Sequence, residues 1–161
     1  QFMGIDFYKG NYKADLNKLP GKAAGWRGGQ VLAFLIDFMD QEGRNPEFRI
    51  HYQDAASEPR CGFPPPFSEP ERQGRVDLAI LCVAGFIEVS SYPEELIRHL
   101  QPRFLILGHW ENLFKQLPEH HKDLRVAPSV CAETFVKRLK RVFPLDDRFE
   151  MPTPTAWMQF R

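Results

Sequence analysis

The sequence predicts an α/β protein in which a mixed sheet carries helices on its outside. Short continuous apolar runs at residues 31–38 (VLAFLIDF), 77–83 (DLAILCV) and 104–107 (FLIL) read as strands covered on both faces. Between the last two, SSYPEELIRHLQP reads as a short helix, and a strand–helix–strand unit calls for a parallel pair. Residues 129–143 place Phe135, Val136, Leu139, Val142 and Phe143 at helical spacing, which gives a second helix with one apolar face.

Taken in order, residues 1–29 have no sustained period and read as an ordered loop or arm, with Phe2, Phe7, Tyr8, Tyr12 and Trp26 as packing anchors. The run at 31–38 is followed by a turn holding Gly43 and Asn45, then by the alternating segment 48–53, so the two strands are expected to form a hairpin. Alternation puts Phe48, Ile50 and Tyr52 on one face, taken as the inward one, and Arg49, His51 and Gln53 on the other. Residues 55–75 hold Pro59, Pro64, Pro65, Pro66 and Pro70, and no regular element survives that density of proline. The next helix is expected to start at Ser91 as cap, Pro93 in the first turn and Glu94 as capping-box acid, and to end at Pro102. A short helix is expected over 110–117. Lys137, Arg138, Lys140 and Arg141 suit the carboxyl end of the 129–143 helix, and 149–160 reads as a final strand or extended arm. No repeat or internal boundary divides the chain, which reads as one domain over 1–161.

Composition narrows the function classes. The 21 Lys and Arg balance the 21 Asp and Glu, so there is no electrostatic footprint for nucleic acid or an anionic membrane. No apolar run approaches the roughly 20 residues of a membrane span. Cys61, Cys82 and Cys131 are odd in number and widely spaced, which argues for reduced thiols over a disulfide framework and favours a cytoplasmic setting. The chain opens on Gln1 with no signal-peptide pattern, and a segment upstream of it is expected to have been removed.

Two residues stand where open α/β sheets gather ligands, at the carboxyl ends of strands. Asp54 closes the alternating strand and shares parity with Phe48, Ile50 and Tyr52. A carboxylate there must be paired, hydrogen-bonded or bound to a metal, or else it opens a turn. His109 closes the 104–107 strand in the phrase LGHWE, where Gly108 would permit close backbone approach. It reads either as a metal ligand or as a satisfied structural histidine. Glu111 is a candidate acceptor behind His109 or a helix-start acid. His99 reads as a surface residue and His120 and His121 as loop residues. Cys82 reads as an inert packing thiol, Cys61 lacks an evident base, and the 137–141 cations read as a solvated helix face.

The phrases RIHYQDAAS around Asp54, VDLAILCVAGF as the next strand, and YPEELIRHLQPRFLILGHWENLF carrying His109 resemble, in their order, the metallo-β-lactamase superfamily over about residues 31–114. The resemblance implies an αββα sandwich of which this chain is the C-terminal half. It also implies a metal-dependent hydrolase that uses a metal-bound hydroxide. In that reading Asp54 is the catalytic-site carboxylate that bridges two metals, and His109 completes the second. Histidine and carboxylate without thiolate suit zinc, with iron or manganese as alternatives. The family's His-x-His-x-Asp-His motif is not in this sequence, and no histidine precedes His51. The fragment alone is therefore expected to be inactive, with its substrate undefined. Its bare sheet face should meet a missing N-terminal half or a second copy in a homo-oligomer. The alternative is a non-catalytic binding or assembly domain of the same fold.

Overall fold

The computed structural model describes residues 14–22, 25, 32–58, 63–64, 76–112, 125–127, 130–146, 148–153, 156 and 158–159. The chain forms two compact units, Gln1–Val31 and Leu32–Arg161. In the first, the described residues hold no strand, and the Gly25 N–H donates to the Lys22 carbonyl at 2.9 Å. The expected anchors Phe2, Phe7, Tyr8, Tyr12 and Trp26 lie outside the described residues, as do Cys61, His120, His121 and most of the 55–75 loop.

The second unit is a mixed α/β arrangement. Its strands are β1 (Ala33–Met39), β2 (Pro46–Gln53), β3 (Leu78–Cys82), β4 (Phe104–Gly108) and β5 (Phe149–Glu150), and its helices are α1 (Glu94–Leu100) and α2 (Ala132–Leu139). The strands lie side by side in chain order; β1 and β2 pair antiparallel and all later pairs are parallel. The β1–β2 turn is tight. Gly43 sits at φ 67, a region glycine enters without steric cost, and Asp40 accepts from the Arg44 and Asn45 amides.

The core lies on one face of this sheet. Ala79 and Leu81 of β3 and Leu105 and Leu107 of β4 pack with Leu96, Ile97 and Leu100 of α1 and Phe135 and Leu139 of α2. Each fully buried Leu, Ile or Phe contributes about 1.5–3 kcal/mol by leaving water, so this layer dominates the stability. Phe135 meets Phe86 edge-on at 5.0 Å. Arg138 of α2 grips Glu94 of α1 with Nε to Oε1 at 2.8 Å and Nη2 to Oε2 at 2.6 Å, and donates to the Ser90 carbonyl. That contact corrects the expected helix start. The α1 N-cap is Pro93, no side chain caps it, and the Glu94 carboxylate is held by Arg138.

The parity of β2 is the reverse of the expected one. Register places His51 beside Ala79 and Gln53 beside Leu81, so Arg49, His51 and Gln53 are the buried residues on the helix-covered face. Phe48, Ile50 and Tyr52 are half-buried on the other face. A guanidinium can be buried there because Asp37 pairs with it, Nε to Oδ1 at 2.7 Å and Nη2 to Oδ2 at 2.8 Å. The run at 31–38 is likewise not a doubly covered strand, since Phe34 through Met39 of β1 are all exposed. Of the helix expected over 110–117, residues 110–112 are not helical, with Glu111 in an isolated antiparallel bridge to Val126, and residues 113–117 lie outside the described residues. The predicted 129–143 helix shortens to α2, followed by turns; of the strand or extended arm expected over 149–160, Phe149–Glu150 form β5, residues 151–153 follow without regular structure, and 154, 155, 157 and 160 lie outside the described residues.

Candidate functional site

The parallel strands β2, β3 and β4 end together, and their carboxyl ends carry Asp54, Cys82 and His109. Cys82 pairs in register with Gly108, which brings the thiol next to His109. The His109 Nδ1 lies 3.7 Å from Asp54 Oδ1, 3.5 Å from the Asp54 carbonyl and 3.5 Å from Cys82 Sγ. Residues 55 positions apart thus meet at one edge of the sheet, as the sequence expectation for Asp54 and His109 requires of a shared site. The expected inward orientation of Asp54 does not hold: its side chain is 62% exposed and that of His109 40%. Both groups face solvent at the rim.

Local backbone sets the imidazole in place. His109 itself adopts φ 52, the left-handed region that costs a non-glycine residue about 1 kcal/mol. Gly108 was expected to permit close approach, but a Cβ there would meet nothing within 4 Å, so the conformational burden falls on His109. The Tyr92 hydroxyl donates to the Cys82 carbonyl at 2.7 Å, which pins the end of β3. Burial pushes the Tyr92 hydroxyl well above the ordinary tyrosine range, so it stays a neutral donor. Tyr52 is also raised, by burial first and then by the Asp54 charge with which it hydrogen-bonds.

Cys82 is buried, and burial pushes its thiol up to about 11, with the Asp54 and Glu111 charges adding to the effect. Such a thiol is protonated at neutral pH and is a poor nucleophile, which agrees with the packing role read from the sequence. A nucleophile–histidine–acid relay does not fit either. The thiol and the carboxylate both address Nδ1, whereas a relay needs one on each ring nitrogen.

The remaining sequence candidates lie elsewhere or do other work. The Glu111 carboxylate accepts from the neighbouring Trp110 N–H at 2.9 Å instead of from His109. His99 stacks on Phe63 at 5.1 Å with its Nε2 2.8 Å from the Pro64 carbonyl, so it anchors the described part of the proline loop to α1 and is not a free surface residue. Sequence reasoning missed Tyr52 and Tyr92 as supports of the site. Their parity beside Asp54 and their place at a helix entrance were visible, but aromatic residues at such positions usually only pack.

Two donors bonded to one zinc ion at about 2.0–2.1 Å lie roughly 3.3 Å apart in tetrahedral geometry, and the Asp54–His109 pair is close to that spacing. Among the described residues, however, no three His, Cys, Asp or Glu side chains are placed to hold a metal ion together. No helix among them is long and apolar enough to cross a membrane. Comparison with protein families, with curated proteins and with solved structures gives no match.

Proposed function

We propose that this chain contributes Asp54 and His109 to the metal site of a hydrolase of metallo-β-lactamase type. The supporting observation is their meeting, Oδ1 to Nδ1 at 3.7 Å, on the carboxyl edge of parallel strands. When bound, a zinc ion, or iron or manganese in its place, supplies Lewis acidity for hydrolysis. The chain's own part is to present one imidazole nitrogen and one carboxylate on a rigid sheet edge, with Tyr52 orienting the carboxylate and Tyr92 holding the strand between them. A zinc site takes three or four protein ligands, so two donors predict weak binding and no hydrolysis by this chain alone.

The test is a zinc titration followed by NMR. Zinc should shift the Asp54 and His109 resonances first, at concentrations far above those that fill a closed site, and Asp54→Asn should cancel the His109 response. Equal shifts at His99 and His109 would remove the support for a shared site. Among the described residues no third ligand is placed with these two, which favours a second reading, a binding or assembly domain in which the same residues serve structure alone. In that case Asp54→Ala and His109→Gly leave the response to zinc unchanged.

A further inference from the structure

We infer that the open face of the sheet is the contact surface between two copies of this chain. Antiparallel register sets Phe34 opposite Tyr52, Ile36 opposite Ile50 and Phe38 opposite Phe48, all on the face away from the helices. The rings pair across the strands, Phe34 with Tyr52 at 6.3 Å and Phe38 with Phe48 at 6.4 Å. Parallel register carries the same face on through Leu78, Ile80, Phe104 and Ile106, where it is less exposed and Leu78 is buried. On β1 the exposure is large: 49% for Phe34, 45% for Ile36 and 54% for Phe38.

Area and charge select the occupant. An aromatic side chain offers about 150–250 Å², so the exposed parts of these residues and their half-buried neighbours make a patch on the order of 500 Å². Two such patches apposed remove about 1,000 Å², which reaches the lower bound for a specific interface and suits a pair of identical surfaces. None of these ten positions is charged, and three charges border them: Glu150 lies in register beside Ile106, the Arg103 guanidinium sits over the Phe104 ring at 4.8 Å, and the Asp54 carboxylate is next to Tyr52. A charged patch would repel its own copy, whereas the β1–β2 part of this face has no charged position and meets an identical surface with the bordering charges left at its rim. Nor does β1 carry the lysine or proline with which exposed strands avoid association, and its one charge, Asp37, is turned to the other face and held by Arg49. Two sheets would stack about 10 Å apart with their side chains interleaved. The inference does not depend on the metal reading.

Sedimentation velocity over the nanomolar to high micromolar range tests it. The chain should pass from monomer to dimer and stop there. Methyl resonances of Ile36, Ile50 and Ile80 should move with concentration while those of Ile87 and Ile97 stay fixed, a readout that needs no variant. Ile36→Asp and Phe38→Asp should give monomers with an unchanged circular dichroism spectrum. Ile87→Asp and Leu35→Ser, away from this face, should leave the dimer intact. A monomer at all concentrations, open-ended polydisperse association, a dimer that survives Ile36→Asp, loss of the dimer in Leu35→Ser, or a different polypeptide held on this face would each overturn the proposal.

Discussion

Asp37 and Arg49 form a two-pronged ion pair across the β1–β2 hairpin, with the guanidinium side chain only 4% exposed. Removing one partner would strand a charge in the core layer. Asp37→Ala is therefore expected to destabilise the protein by about 3 kcal/mol, measured by urea unfolding. The double substitution Asp37→Leu with Arg49→Met removes both charges together and should recover most of that loss. A single substitution as mild as a surface change would mean that solvent reaches Arg49.

The same pair explains what was legible in the sequence. Element order and type could be read because the apolar runs are short and separated by strong breakers such as Gly43, Pro93 and Pro102. Parity could not. The segment 48–53 alternates cleanly, and hydrophobicity alone puts Phe48, Ile50 and Tyr52 inside. The helices pack on the opposite face, because Ala79, Leu81, Leu105 and Leu107 lie there, and β2 must present Arg49, His51 and Gln53 to it. The clue was Asp37, the one charge within an otherwise apolar strand. Asp54 and His109 were legible because they follow strands. Their proximity to Cys82 was not, because a thiol inside an apolar run resembles every other packing residue.

Glu94 and Arg138 predict an acid-side dependence of stability. Burial alone would raise the Glu94 pKa, but the hydrogen bonds and charge of Arg138 outweigh it and the net shift is downward. A lowered folded-state pKa means that the stabilisation is present above the unfolded carboxylate value, about 4.3, and is lost as pH falls through the lowered value. Glu94→Gln should cost about 1–3 kcal/mol at neutral pH and flatten the fall in stability below about pH 4. Chemical denaturation across that range measures both.

His109 offers a backbone test. At φ 52 a glycine is relaxed and an alanine is not. His109→Gly should be more stable than His109→Ala by about 1 kcal/mol, the reverse of the order at an ordinary strand position. Thermal unfolding of the two variants gives the comparison, and equal stability would show that the loop relaxes around the substitution.

Tyr92→Phe removes the buried hydrogen bond to the Cys82 carbonyl and leaves that acceptor unsatisfied. A loss of about 1–3 kcal/mol is expected, with the Cys82 thiol becoming easier to alkylate as the end of β3 loosens. In the unaltered protein Cys82 should react far more slowly than exposed Cys131 at neutral pH. Mass spectrometry of timed alkylation distinguishes the two sites.

The order in which the strands lie has a consequence for how the molecule opens. β3 has a paired neighbour on each side and helices over one face, while β1 pairs with β2 alone and carries exposed side chains along nearly its whole length. Amide protons of β3 and β4 should therefore exchange only through global unfolding, whereas those of β1 escape through a smaller, local detachment from β2. Because the turn of the hairpin is short and held by Asp40, a detached β1 can rezip without waiting for the rest of the sheet, on the microsecond scale typical of hairpins. The strand that exposes the most apolar surface is thus also the one most able to come away from the sheet and return.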